Sequence, residues 1–355
     1  MQKLAAAVAN MLQQLPRLSV LQLPGIPLSD AAVKQMAAMQ ALHQVRLEHM
    51  QHVPTCDLQH IPSSITQLQL HGEIGSSNPS LPEKLPQLGG LLHLDLSYCK
   101  VPLTALASLT QLQVLNMESC DLLPDVPGAE WETEGTAALL TALSSLTRLQ
   151  DLTLSNMFGM DTETVTPAQF AALTASSHLT QLTVTREDMV ALARGAAQHM
   201  FPPGRRMQSL QKLVIETGLC HLEALEDWCL DGPDLASIIQ ACPNLQCLCV
   251  KHSVKPGVDL SPLLQLPQCC ERLMVAGAAF TDAAAPLIAQ LTQLEYLVWA
   301  HSPGLTDAGL ERLVGLELYR LYVYKCGFSE GVVSGDQDSV ELEWSPEMVS
   351  AAFGS

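Results

Sequence analysis

Leu91-Leu92-His93-Leu94-Asp95-Leu96-Ser97-Tyr98-Cys99 is followed 21 residues later by Leu112-Gln113-Val114-Leu115-Asn116-Met117-Glu118-Ser119-Cys120. Both stretches place aliphatic side chains at positions 1, 4 and 6 of a nine-residue frame and cysteine at position 9. Positions 4 and 6 alternate with polar neighbours, which describes a short strand with one apolar side. A strand this short cannot close a core alone, so its apolar side needs an equivalent neighbour.

The frame recurs twelve times along the chain. Position 4 falls at Leu21, Val45, Leu68, Leu94, Leu115, Leu152, Leu182, Leu213, Leu248, Leu273, Leu297 and Leu321. The spacings are 24, 23, 26, 21, 37, 30, 31, 35, 25, 24 and 24 residues. The short spacings lie in the range of about 20–29 residues that marks leucine-rich repeats. The four long ones are consecutive, between Leu115 and Leu248, and predict extra loop or helix on the convex side or the rims. One such insertion, Glu118 to Gly135, is acidic and contains Trp131.

Stacking equivalent strands makes a parallel sheet and buries their leucines, each contributing roughly 1.5–3 kcal/mol. The expected fold is α/β: a leucine-rich-repeat solenoid, or horseshoe, with a parallel concave sheet and helices and loops on the convex side. Helical patterns lie between strands at Asp30 to Met36, Ala283 to Leu291 and Asp307 to Leu313. Thr281-Asp282 and Thr306-Asp307 are expected to cap the latter two helices with side-chain oxygens. Residues 1–17 read as an amphipathic cap helix carrying Leu4, Val8, Met11, Leu12 and Leu15. Residues 18–330 read as the solenoid, and 331–355 as a C-terminal cap strand or a flexible tail.

Composition supports many small cores. The chain holds 62 leucines, while aromatic residues make up only 4%. Its net charge of −18 disfavours nucleic-acid backbones and anionic membranes as general partners. Eleven cysteines without framework spacing, no Asn-x-Ser/Thr sequon and no signal-peptide pattern argue for a reducing compartment rather than a receptor ectodomain. The expected location is the cytoplasm, with the cytoskeleton or ciliary axoneme as narrower settings.

The segment Gly304-Leu305-Thr306-Asp307-Ala308-Gly309-Leu310-Glu311-Arg312-Leu313 resembles the helix signature of the cysteine-containing leucine-rich repeats. Cys99, Cys120 and Cys326 fill that subfamily's final motif position. The resemblance covers residues 15 to 330 and does not extend to an F-box. It implies a recognition module, in that family often the substrate-binding half of a ubiquitin-ligase subunit. The Ala/Gln/Leu-rich texture is also similar to repeat proteins of flagellated unicellular algae, many of them assigned to the axoneme. Both remain alternatives to a general interaction scaffold.

Positions 3, 5, 7 and 8 of the frame are expected to face the concave surface. Repeats four to six place Asp95, Glu118 and Asp151 there. The last four repeats instead place no Asp or Glu at these 16 positions, and four cations. Tyr and Arg dominate binding hot spots because they combine contact area with directed hydrogen bonds. Lys251, His252, Arg272, Tyr296, His301, Arg320, Tyr322, Tyr324 and Lys325 are therefore the expected partner-binding residues, and the partner an acidic protein or peptide.

No cofactor or metal is expected. Cys247 and Cys249 share a strand face, with Cys242 and Cys269-Cys270 nearby, and this cluster reads as structural rather than as a zinc site. His49, His71 and His93 fall at three different frame positions and read as solvated surface. Gly-x4-Gly-Lys-Ser/Thr, His-Glu-x-x-His and Gly-x-Ser-x-Gly are all absent, so the chain is not expected to be an enzyme.

Overall fold

The computed structural model describes residues 2–24, 29–48, 58–76, 81–123, 131–156, 166–186, 195–217, 230–251, 254–327 and 340–342. The chain divides into two compact units, Met1–Leu179 and Thr180–Ser355.

Unit 1 carries strands β1 (Val20–Pro24), β2 (Gln44–Glu48), β3 (Gln67–Ser76), β4 (His93–Pro102), β5 (Val114–Glu118), β6 (Asp121–Leu123) and β7 (Asp151–Ser155). Its helices are α1 (Gln2–Gln13), α2 (Asp30–Ala37), α3 (Leu81–Lys84), α4 (Leu103–Ala107) and α5 (Trp131–Ser144). The strands β1, β2, β3, β4, β5 and β7 pair in parallel in that order, while β6 pairs with the end of β4. Unit 2 carries β8 (Gln181–Arg186), β9 (Lys212–Thr217), β10 (Cys247–Lys251), β11 (Arg272–Ala276), β12 (Tyr296–Ala300), β13 (Arg320–Tyr324) and β14 (Val340–Leu342). Its helices are α6 (Ala196–Met200), α7 (Gly232–Ala241), α8 (Ala285–Ile288) and α9 (Asp307–Glu311). Here β8 to β13 pair in parallel in chain order, and β14 adds antiparallel to β13.

The register aligns like with like. In unit 2, Leu182, Leu213, Leu248, Leu273, Leu297 and Leu321 lie side by side. The next inward row is Val184, Ile215, Val250, Val275, Trp299 and Val323, and both rows are buried. Unit 1 repeats the arrangement, with Leu94, Leu115 and Leu152 at position 4 and Leu96, Met117 and Leu154 at position 6. The expected parallel sheet and stacked leucine core are thus present.

Three further features recur at fixed frame positions. The position-2 carbonyl accepts the N–H groups of positions 2 and 3 of the next repeat, as Glu271 does from Glu295 and Tyr296. Position 8 turns left-handed at Tyr98, Ser119, Asn156, His301 and Lys325, with φ between 47° and 57°, and also at Gly277. That turn aims the His301 N–H at the Tyr324 carbonyl, 2.8 Å away, and the Ser119 N–H at that of Ser155. At position 9, the thiols of Cys120, Cys99 and Cys326 donate to position-6 carbonyls of the preceding repeat, Leu96, Leu70 and Trp299.

The connections between strands differ in detail from the sequence expectation. Ala283 to Leu291 is helical only over α8, and Asp307 to Leu313 only over α9. Pro286 sits at the start of α8 and leaves a run of turns on either side. Thr281 Oγ1 accepts the Ala283 N–H in the turn before α8, but α8 begins after Ala284 and has no side-chain cap, contrary to the expectation for Thr281-Asp282. Thr306 does not cap α9 with its side chain. Its hydroxyl and its N–H instead both donate to the Asp282 carboxylate, at 2.6 and 2.7 Å. The adjoining Gly309 is required sterically, because a Cβ there would overlap Asp282 Oδ1 and Leu305. In α1, Val8, Ala9 and Leu12 are buried, but Met11, and Leu15 beyond the helix end, remain 43% and 41% exposed, so the buried stripe is narrower than expected; the side chain of Leu4 lies outside the described residues.

Replacing Asp282 with alanine strands two donors of Thr306 between adjacent repeats. Hydrogen bonds to charged groups are worth about 1.5–3 kcal/mol. Asp282→Ala should therefore lower the urea-unfolding free energy by about 2–3 kcal/mol; an unchanged midpoint would refute the role assigned to this carboxylate.

Candidate functional site

The strands of unit 2 bury positions 4 and 6, so positions 3, 5 and 7 line the opposite face in continuous rows. The position-3 row reads Gln181, Lys212, Cys247, Arg272, Tyr296 and Arg320. The position-5 row reads Thr183, Val214, Cys249, Met274, Val298 and Tyr322, and the position-7 row Thr185, Glu216, Lys251, Ala276, Ala300 and Tyr324.

Seven of the expected site residues meet on β11 to β13. Arg272 is exposed, and its guanidinium lies 4.8 Å from the centre of the Tyr296 ring. Tyr296 in turn packs at 57° against Tyr319, with centroids 5.6 Å apart. Arg320 lies 5.6 Å from the Tyr319 centroid and donates to the Tyr322 hydroxyl at 3.1 Å. At the ends of the strands the left-handed turns bring two position-8 residues onto one ring. Lys325 Nζ stands 5.0 Å from the Tyr324 centroid, and His301 meets the same ring edge-on at 4.9 Å. Tyr296, Tyr319 and Tyr324 thus each carry a cation or an imidazole against the ring, and Tyr322 a guanidinium at its hydroxyl, which restrains long side chains.

Two of the expected residues remain, Lys251 and His252. Lys251 is bound by Glu216 on the neighbouring β9, at 3.2 Å, so its charge is compensated within the same row. The acid-free patch therefore narrows to β11–β13. His252 lies outside the described residues. Glu271 and Glu295, exposed at position 2, border the patch beside Arg272 and Tyr296.

Lys212 and Tyr319 belong to the same surface and were not among the expected residues. Lys212 is exposed at position 3 of the repeat before Cys247, one repeat outside the set considered. Tyr319 occupies position 2, outside the alternation that assigns residues to faces, yet it is 64% exposed and joins Tyr296 to Arg320. The register would have found Lys212 in the sequence; nothing in the alternation pointed to Tyr319.

Cys247 and Cys249 make β10 a buried trough between its neighbours. Burial pushes the Cys249 thiol up to about 12, and likewise those of Cys242 and Cys270. These groups are protonated at neutral pH and are neither nucleophiles nor ready metal ligands. Among the described residues no three His, Cys, Asp or Glu side chains gather into a metal-binding set. A separate cavity of about 330 Å³ on the helix side of unit 2 is bordered by Pro202, Arg205, Arg206, Ser237 and Gln240. None of the expected site residues lines it.

The fold is similar to that of a solved structure. An internalin from Listeria monocytogenes superposes with a TM-score of 0.55 at 16% identity, over 90% of this chain and 76% of that one. The chain has the leucine-rich-repeat fold. A leucine-rich-repeat protein of Leptospira interrogans is similar at a TM-score of 0.45 and 16% identity, over 90% of this chain and 88% of that one. No family model and no curated protein matches the sequence. Among the described residues no helix of the repeat array is long and apolar enough to cross a membrane.

Burial, then the charges of Lys325 and Lys251, hold the His301 imidazole below its ordinary value of 6.5, against a smaller opposing effect of Glu216. The unfolded chain therefore binds this proton more readily than the folded one. The contribution is fully present above pH 6.5 and is lost as pH falls through the interval down to the depressed folded value. NMR titration should place the His301 midpoint below 6.5, and Lys325→Gln should raise it. A midpoint at or above the ordinary value would show that the two lysines do not act on this ring.

Proposed function

We propose that this chain is a non-catalytic protein-interaction scaffold, and that the β11–β13 face of unit 2 binds an acidic protein or peptide. The observation that carries this reading is the cluster in which Arg272, Arg320 and Lys325 each lie against a tyrosine ring. Arginine presents a planar fork that matches a carboxylate. Tyrosine supplies apolar area plus a hydroxyl with only two rotatable bonds to fix. Holding the cations against the rings before binding reduces the entropy lost on association.

The surroundings favour a protein partner over a polyanion. In a chain of net charge −18, a phosphate backbone long enough to cover the patch would run on into repelling surface. A folded or short acidic partner can confine its charge to the patch. An open row of side chains also lacks the enclosed, water-excluding site that perturbs acids and bases for catalysis. Protonated, buried thiols fit a binding role and not a cysteine-based reaction.

The position-9 thiols give one observation in favour of a narrower reading. Cys99, Cys120 and Cys326 stitch adjacent repeats at the same frame position, as the cysteine-containing subfamily would require. On that reading the partner is a substrate presented to a ubiquitin ligase, and ligase core subunits should co-purify with the intact protein.

The general reading is tested by parallel affinity purification of the wild type and an Arg320→Glu/Lys325→Glu variant, matched for thermal stability. Specific partners should fall at least tenfold in the variant, and their recovery from the wild type should fall steeply as salt rises. Partners recovered equally by both proteins would end the proposal.

A further inference from the structure

The two innermost rows of the unit 2 face have different periods. Along position 5, every strand from β9 to β13 contributes a largely apolar side chain: Val214, Cys249, Met274, Val298 and Tyr322. Along position 3, only alternate strands carry a cation: Lys212 on β9, Arg272 on β11 and Arg320 on β13. Neighbouring strands lie about 4.8 Å apart. The face therefore places an apolar side chain about every 4.8 Å, recessed at Cys249 on β10, and a positive charge about every 9.6 Å, along parallel lines about 6.6 Å apart.

A heptad-patterned α-helix has the same pair of periods. Apolar residues spaced 3–4 apart recur on average about every 5.3 Å, and a residue repeated every seventh position recurs about every 10.5 Å. The mismatch accumulates to only about 2 Å from Lys212 to Arg320, within the reach of lysine and arginine side chains. An amphipathic helix carries its polar flank alongside the apolar stripe, so an acidic row can run parallel to the apolar one. Other backbones match less. Same-side residues of an extended strand repeat at about 6.6 or 13.2 Å, and neither matches the cation row. A polyproline II helix repeats about every 9.3 Å, which matches the cations but supplies only one side chain for every two apolar strands.

The rest of the face leaves room for a helix. On β11 and β12, position 7 is alanine, Ala276 and Ala300, both buried, so the floor stays low beyond the apolar row. The Lys251–Glu216 pair bounds this floor on one side and Tyr324 on the other. From position 3 to position 7 the face spans about 13 Å along the strands, comparable to a helix about 10–12 Å wide. Glu271 and Glu295, outside the cation row, repel a partner whose acidic stripe lies further out. A helix seated over positions 5 and 7 thus turns its acidic flank to position 3.

Resting on the acidic-partner reading above, we infer that the ligand of this face is an amphipathic α-helix lying across the strands, with an acidic residue every seventh position beside a heptad apolar stripe. Lys212 is then a binding residue equal in standing to Arg272 and Arg320.

The test uses the whole 355-residue chain and three fluorescent 22-residue peptides, read by anisotropy at physiological salt. The first carries leucines at heptad positions and glutamate every seventh residue on the adjoining flank. The second has the same composition with its glutamates displaced from that flank. The third is a proline-rich peptide with glutamate every third residue. The first should bind at least tenfold more tightly than the others. Lys212→Glu should weaken it about tenfold, and a peptide with its matching glutamate changed to lysine should recover binding to that variant. If the displaced or proline-rich peptide binds as well as the first, and all lose binding to the Arg320→Glu/Lys325→Glu variant, the helix inference fails while the acidic-partner reading stands. If no peptide binds, the helix inference fails, and the affinity purification alone decides the broader reading.

Discussion

Every feature of this molecule follows from one constraint: the apolar pair at positions 4 and 6 must point into a shared core. A strand alternates its side chains with a period of two, so fixing that pair also fixes positions 3, 5 and 7 on the opposite face. Parallel pairing without slippage then turns equal frame positions into straight rows. Leu248, Leu273, Leu297 and Leu321 are aligned by burial. Cys247, Arg272, Tyr296 and Arg320 are aligned because their neighbours are. A shift of one residue in a single strand would expose two aliphatics and bury a charge, so the displayed face is as well specified as the core.

This constraint explains which parts were legible in the sequence. The period of the leucines, the strand positions and the residues displayed by each strand could all be read directly, because they depend only on alternation and spacing. The connections were less legible. In the loop before α9, the Thr306 side chain could satisfy either its own helix or the neighbouring repeat; the closeness of Asp282 decides for the neighbour. That competition depends on the distance between stacked turns, which no single repeat encodes. The same holds for Lys251, whose partner Glu216 lies 35 residues earlier and becomes adjacent only through the pairing of β9 with β10. Tyr319 was missed for a third reason, since position 2 precedes the alternating part of the strand.

The left-handed position 8 is a structural requirement with a consequence for the surface. Its turn hands the backbone N–H to the next repeat and so extends the ladder past the last regular strand residue. Non-glycine residues adopt this conformation at a modest cost, and here they do so at five described positions. At His301 and Lys325 the turn also swings the side chain towards the Tyr324 ring instead of continuing the strand's alternation. A feature that serves the core thereby gathers an imidazole and an ammonium at one end of the displayed face.

The alternate-strand placement of cations has a cause within the folded chain as well. Like charges directly opposite one another on adjacent strands destabilise a sheet. Interposing Cys247 and Tyr296 doubles the separation of Lys212, Arg272 and Arg320 to about 9.6 Å. That is close to the screening length of about 8–10 Å at physiological salt, beyond which repulsion between exposed charges fades. The interposed residues are not passive. Tyr296 offers Arg272 a ring to stack on, and the buried Cys247 keeps β10 low between two long side chains. Three cations can therefore share one row without weakening the sheet, at the largest charge density that screening tolerates. On the proposed reading, a ligand that neutralises all three would repeat its own charges at about that interval, so the spacing that limits the protein's internal repulsion would also be the spacing it reads in a partner.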